Sequence, residues 1–126
     1  MSKRKTKYLK ATKTNLKKYN LDFSKVVINS DGSIDYDGNV YLEEKDLKKI
    51  PFKFNKVDGD FSCSYNQLTS LEGSPKEVSG DFLCIANKLT SLEGAPVEVG
   101  GGFWCYDNEL TSYDGKPEYI EGEFYD

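Results

Sequence analysis

The 126-residue chain contains no histidine. General acid–base chemistry near neutral pH would therefore fall to a carboxylate or a lysine with a displaced pKa. Other residues capable of chemistry recur in a fixed step. Cys63, Cys84 and Cys105 stand 21 residues apart. An odd number at that spacing is no disulfide framework, and a zinc site would need a fourth ligand, for which the chain has no histidine. The three read as small hydrophobes in a reduced inward ladder. Thr69-Ser70, Thr90-Ser91 and Thr111-Ser112 repeat in the same step, which marks them as parts of a turn and singles out none as a nucleophile. Asp35, Asp37 and Asn39 sit at calcium-loop offsets, but Val40 occupies the slot whose sharp turn requires glycine. No glycine-rich loop precedes a helix, so a phosphate cradle is not expected either. These residues predict a protein that is not an enzyme and needs no metal or cofactor.

Recognition chemistry is better represented. Lys3, Arg4, Lys5, Lys7, Lys10, Lys13, Lys17 and Lys18 fall within the first 20 residues with no acid among them. The rest of the chain carries nine basic groups against 21 acidic ones, so the molecule is electrically two-ended. The basic stretch, with Tyr8 and Tyr19 interleaved, could contact phosphates in a salt-dependent way. It could equally dock on an acidic protein, or serve as a tail or polar cap. No recognised nucleic-acid fold accompanies it, and the acidic body would repel a long polyanion. No run of 18 apolar residues is present, so no membrane span is expected, and no apolar stretch follows the N-terminal charges as it would in a signal peptide. The expected location is the cytoplasm.

The elements that must position these groups are written in the period. Aligning Gly59, Gly80, Gly101 and Gly122 sets GDFSCSYNQLTSLEGSPKEVS over GDFLCIANKLTSLEGAPVEVG over GGFWCYDNELTSYDGKPEYIE, followed by GEFYD. Such self-similarity means stacked repeats. Counting back once more reaches Gly38, and GNVYLEEKDLKKIPFKFNKVD matches slot for slot: Val40 under Phe61, Leu42 under Cys63, Leu47 under Leu68, Ile50 under Leu71 and Val57 under Val78. The predicted solenoid covers 38–126 as repeats 38–58, 59–79, 80–100 and 101–121 with a stub at 122–126. Residues 1–37 form a basic N-terminal cap: a helix from about Lys5 to Tyr19, then a hairpin of Val26 to Asn29 with Ser33 to Tyr36 around Asp31-Gly32. The predicted class is α+β, mainly β.

Within a repeat, F-x-C-x-x-N-x-L-x-x-L falls on the leucine-rich-repeat pattern. F-x-C becomes a short strand with its first and third residues inward, and successive strands pair in parallel into one sheet. The asparagines form a ladder from Asn66 through Asn87 to Asn108 that satisfies backbone groups of the neighbouring coil. Glu-Gly-x-Pro turns the chain back, and the prolines predict an extended, polyproline-like convex side. Over about 38–125 the chain resembles the short bacterial type of leucine-rich repeat, and more closely the LTSLEG-x-P repeats of small proteins of tailed bacteriophages. The resemblance implies this fold and a habit of binding proteins; it implies no catalytic residues.

Outward strand positions vary while the inward slots hold. They read Tyr41 and Glu43, Ser62 and Ser64, Leu83 and Ile85, Trp104 and Tyr106, then Tyr125. Leu83, Ile85, Trp104 and Tyr106 should lie side by side, with Asp107, Glu109 and Glu123 as a charged rim, which is the composition of an interface core. The expected function is a non-enzymatic protein–protein interaction module, which the resemblance implies to be from a phage, that binds and modulates or inhibits a bacterial host protein, a defence protein among the candidates, through its concave face. The protein-binding set is Tyr41, Leu83, Ile85, Trp104, Tyr106, Asp107, Glu109 and Tyr125. Alternatives are a nucleic-acid or ribonucleoprotein accessory held by the eight N-terminal cations, or a structural protein that self-associates through the edge of its last strand.

Overall fold

The computed structural model describes residues 8–126. Its elements in order are helix α1 (Lys13–Lys18), a single 3-10 turn (Phe23–Lys25), and eleven strands: β1 (Val26–Ile28), β2 (Ile34–Tyr36), β3 (Val40–Tyr41), β4 (Phe54–Val57), β5 (Phe61–Ser62), β6 (Glu77–Val78), β7 (Phe82–Leu83), β8 (Glu98–Val99), β9 (Phe103–Trp104), β10 (Tyr119–Ile120) and β11 (Phe124–Tyr125). The chain is a parallel β-solenoid of about four turns. Every coil contributes one strand to each of two sheets. The five-stranded sheet runs β3, β5, β7, β9, β11, and the six-stranded sheet runs β1, β2, β4, β6, β8, β10.

The register follows the sequence period. Val40 lies beside Phe61, Phe61 beside Phe82, Phe82 beside Phe103 and Phe103 beside Phe124. In the second sheet Val57 pairs with Val78, Val78 with Val99 and Val99 with Ile120. A one-residue slip would turn each of these side chains out of the core, so burial alone fixes the alignment.

Identical slots stacked at strand spacing give a core built in columns. The rings of Phe61, Phe82, Phe103 and Phe124 stack nearly parallel, with centroids 5.1 to 5.5 Å apart. The column continues through edge-to-face contacts of Phe54 on Phe61, Phe52 on Phe54 and Tyr19 on Phe52. Each such ring removed from water contributes about 1.5–3 kcal/mol. Beside it lie Leu68, Leu89 and Leu71, Leu92, all fully buried, and the thiols of Cys63, Cys84 and Cys105. The asparagine ladder forms as the sequence indicates. Asn87 Nδ2 donates to Cys63 O at 3.0 Å and to Cys84 O at 3.3 Å, while its Oδ1 accepts the Leu68 N–H at 2.9 Å. Asn66 and Asn108 make the same bonds one coil to either side. The Glu-Gly-x-Pro turns place Gly73, Gly94 and Gly115 at φ of +98, +92 and +90°, a left-handed backbone that glycine adopts without strain.

At the N-terminal end the hairpin forms: Val26 pairs with Tyr36 and Ile28 with Ile34, antiparallel. Its turn is held by Asp31, whose Oδ1 accepts from both the hydroxyl and the backbone N–H of Ser33. Those bonds, with Lys53 3.5 Å away, hold the Asp31 carboxyl down at about 2. The second hairpin strand, β2, pairs in parallel with β4, so the cap is continuous with the solenoid. Leu16 of α1 is fully buried.

Three sequence expectations change. The helix is confined to Lys13–Lys18, because Thr12 caps it by accepting from Asn15 N; Lys5 to Lys7 lie outside the described residues. There are two sheets, not one: the side expected to be extended and polyproline-like carries β6, β8 and β10, which pair through a two-residue strand after each buried proline. Ile85 is buried, at 6% exposure, so it adds no exposed apolar surface to the outer face. Strand β7 ends at Leu83, and the chain is already bending into the next corner, where Ala86 has φ +57°.

Candidate binding face

The outer face of the five-stranded sheet is one row, Tyr41, Ser62, Leu83, Trp104 and Tyr125, in register across β3, β5, β7, β9 and β11. Its composition changes along the axis. Ser62 is buried and donates to Glu43 Oε2 at 2.8 Å, which separates Tyr41, half-exposed at one end, from the apolar stretch at the other. Leu83, Trp104 and Tyr125 are contiguous. The Trp104 and Tyr125 rings stack with centroids 4.6 Å apart and planes 18° from parallel, and Tyr125 remains 41% exposed.

Trp104 is placed by a gap in a second ladder. Asn39 Oδ1 accepts the N–H of Asp60, Asp60 Oδ1 that of Asp81, and Asp81 Oδ1 that of Gly102, at 2.7, 2.8 and 2.9 Å. At the slot where the earlier coils have Asn or Asp, Gly102 has no side chain. The six-membered ring of Trp104 lies over that vacancy, so a Cβ there would sit 2.7 Å from it. Asp81 and Glu123 are the ladder neighbours of Gly102 on either side.

The rest of the predicted set divides. Tyr106 and Asp107 are exposed on the last full coil, Asp107 at the left-handed corner with φ +59°. Glu109 lies beyond Asn108, on the next side of the coil, where its N–H donates to Leu89 O, so it does not border the row. Ile85 is covered, its N–H donating to Ser64 Oγ at 3.0 Å. At the outer edge β11 is covered in part by the preceding repeat: Lys116 Nζ lies 4.0 Å from the Phe124 ring centroid, Tyr113 meets that ring edge-on, and the Tyr113 hydroxyl bonds Asp126.

Of the basic set, Lys10, Lys13, Lys17 and Lys18 are exposed about α1; Lys3, Arg4, Lys5 and Lys7 lie outside the described residues. Lys18 joins Lys48 and Lys49 around an open cleft of about 590 Å³ floored by Leu9, Tyr19 and Pro51. Sequence reasoning passed over Lys48 and Lys49 because they belong to the degenerate first repeat. It also missed an exposed apolar edge on the cap, Phe23, Val27 and Ile28, where the short β-branched run of β1 was the available signal.

The cysteine column offers no nucleophile. Burial raises the thiol pKa of Cys63 and Cys84 far out of the physiological range and that of Cys105 to about 11. Among the described residues no cluster of three or more His, Cys, Asp or Glu side chains could hold a metal, and no helix is long and apolar enough to cross a membrane. The fold and this face define the class of the molecule as a two-sheet parallel β-solenoid with an aromatic outer patch. Set against family models, curated proteins and solved structures, the chain matches none.

Proposed function

We propose that the chain is a non-enzymatic protein-binding module, of leucine-rich-repeat type, that engages its partner through the outer face of the five-stranded sheet. The observation that carries this reading is the change along one row. Inward slots repeat coil after coil, while the outward row passes from Ser62 to Leu83 to a stacked Trp104–Tyr125 pair that the stack itself does not need. Large aromatic side chains left partly exposed on a rigid sheet are the usual anchors of interfaces. The likeness of the LTSLEG-x-P repeats to those of phage proteins supports a bacterial host protein as partner, bound in the host cytoplasm and modulated or inhibited by being covered.

The second reading, polyanion binding at the N-terminal end, draws on the cleft bounded by Lys18, Lys48 and Lys49. Affinity capture from bacterial lysate separates the two. Wild type is compared with Leu83→Ala/Trp104→Ala and with Lys13→Glu/Lys17→Glu/Lys18→Glu, each with and without nuclease. The charge reversals are at exposed positions, whereas deleting the first 20 residues would remove the buried Leu16. A discrete protein retained by wild type and the lysine variant, lost on the face variant and indifferent to nuclease supports the first reading. Nuclease-sensitive capture lost only with the lysines replaces it with the second.

A further inference from the structure

Because the coils stack in chain order, the charge asymmetry of the sequence becomes a gradient along the axis. At the N-terminal end, residues 8–21 hold four lysines and no acid, and all four lysines are exposed about α1. They adjoin the cleft of about 590 Å³ whose floor is Leu9, Tyr19 and Pro51 and whose rim carries Lys18, Lys48 and Lys49. The acid at that rim, Asp46, is engaged by the Gln67 amide. Leu9 is left 41% exposed, so the cleft offers an apolar floor under a basic rim.

The other end is its reverse. Residues 101–126 hold seven carboxylates against one lysine, Lys116, which lies over the Phe124 ring. All seven are at exposed positions, with the exposed rings of Tyr106, Tyr113, Tyr119 and Tyr125 set among them. The ion pairs of the described residues, Lys53 with Asp31 and Lys56 with Glu77, use neither these carboxylates nor the lysines of the cleft. Each end therefore keeps a field of one sign that an opposite surface would relieve. An apolar floor under a lysine rim selects a partner that brings aromatic rings and carboxylates together. A nucleic acid brings phosphates, which the acidic coils would repel. The last coil of another copy brings both groups on one rigid surface.

We infer that the chain associates head to tail with further copies of itself, the cleft of Lys18, Lys48 and Lys49 in one copy closing on the carboxylates and tyrosines of 101–126 in the next. The two surfaces lie at opposite ends of the axis, so the contact is heterologous and a copy engaged at one end still offers the other. Leu83 and Trp104 take no part in it, and it is independent of the binding-face reading above.

Sedimentation equilibrium of the whole chain tests this. Expected for wild type at low salt is an average mass that climbs above the 14.2 kDa of one chain as protein concentration rises. Near about 1 M salt, where the Debye length is about 3 Å, it returns to that of one chain. Lys18→Glu/Lys48→Glu/Lys49→Glu and Glu109→Lys/Asp114→Lys/Glu118→Lys, all at exposed positions, should each weaken association about tenfold. Their equimolar mixture should recover it, because each reversed surface then meets its opposite. Leu83→Ala/Trp104→Ala should associate as wild type does. A single-chain mass at every concentration, association unmoved by salt or by either charge reversal, or a mixture that fails to recover would each overturn the inference. So would cleft lysines that bind a short oligonucleotide while the chain stays single, which gives them to a polyanion. The two readings fail separately. Association lost on Leu83→Ala/Trp104→Ala alone moves the contact to the outward row and removes the head-to-tail one, whereas a chain that stays single yet captures a protein through Trp104 removes only the self-association.

Discussion

Asn87 reaches across two coils with one amide, and nothing else near it could take over. Its Nδ2 donates to Cys63 O and Cys84 O and its Oδ1 accepts from Leu68 N. Asn87→Ala strands those backbone groups inside the stack and is expected to cost about 2–4 kcal/mol. Urea denaturation checks this against Thr90→Ala, an exposed neighbour expected to change little. The thiols give a second readout. With Cys105 raised to about 11 and the other two higher, a maleimide should leave native protein unlabelled at neutral pH and modify Cys105 first as the pH rises. Peptide mapping identifies the site; early modification of Cys84 would contradict the packing. Both roles were legible in the sequence, because a polar amide or a small thiol kept at one slot through three coils has few structural uses. The burial of Ile85 was not: alternation gives the side of the strand a residue faces, not what covers it there.

At the scale of the element, the corners are built from residues that give no sign of it. Glu44, Tyr65, Ala86 and Asp107 occupy one slot, and all four have left-handed backbone, φ +54 to +59°. The chain bends there so that the following Asn points inward in the later coils. An L-residue held in this region costs about 1–2 kcal/mol, of which the greater flexibility of unfolded glycine takes back part. Ala86→Gly is therefore expected to stabilise by about 0.5 kcal/mol, read as a higher denaturation midpoint with unchanged slope. Four different side chains, none of them glycine, hid this corner from the sequence. The glycines of the Glu-Gly-x-Pro turn announced theirs. The six-stranded sheet was hidden for another reason: Glu-Val or Tyr-Ile after a proline is too short to show alternation, and it forms a strand because the coil beneath offers the matching edge.

For the molecule as a whole, stability is a sum of coils and the contacts between neighbours. Removing residues 80–100 joins two coils in register and sets Phe61 against Phe103, ring for ring. The shortened chain is expected to fold with the same circular-dichroism shape, to unfold cooperatively, and to do so at lower denaturant concentration. A deletion of twenty residues over the same stretch would throw every inward slot off its column and should not fold. The period made this much visible in the sequence alone. The order of the outward row was legible in the same way, and Leu83, Trp104 and Tyr125 are neighbours as the period indicates. What the sequence could not show is which members of the row stay exposed, since Ser62 is buried against Glu43 and the Trp104 ring is laid over Gly102.

The hydrogen-bond ladders all run from coil to coil, along the axis of the solenoid, and this gives the protein a mechanical direction. Tension applied to its two ends loads each ladder as a zipper and not in shear, so the coils should peel away singly from an end. A force–extension trace would then step in units of one repeat, each releasing about 70 Å of chain, at forces well below those of a domain whose terminal strands must slide past each other.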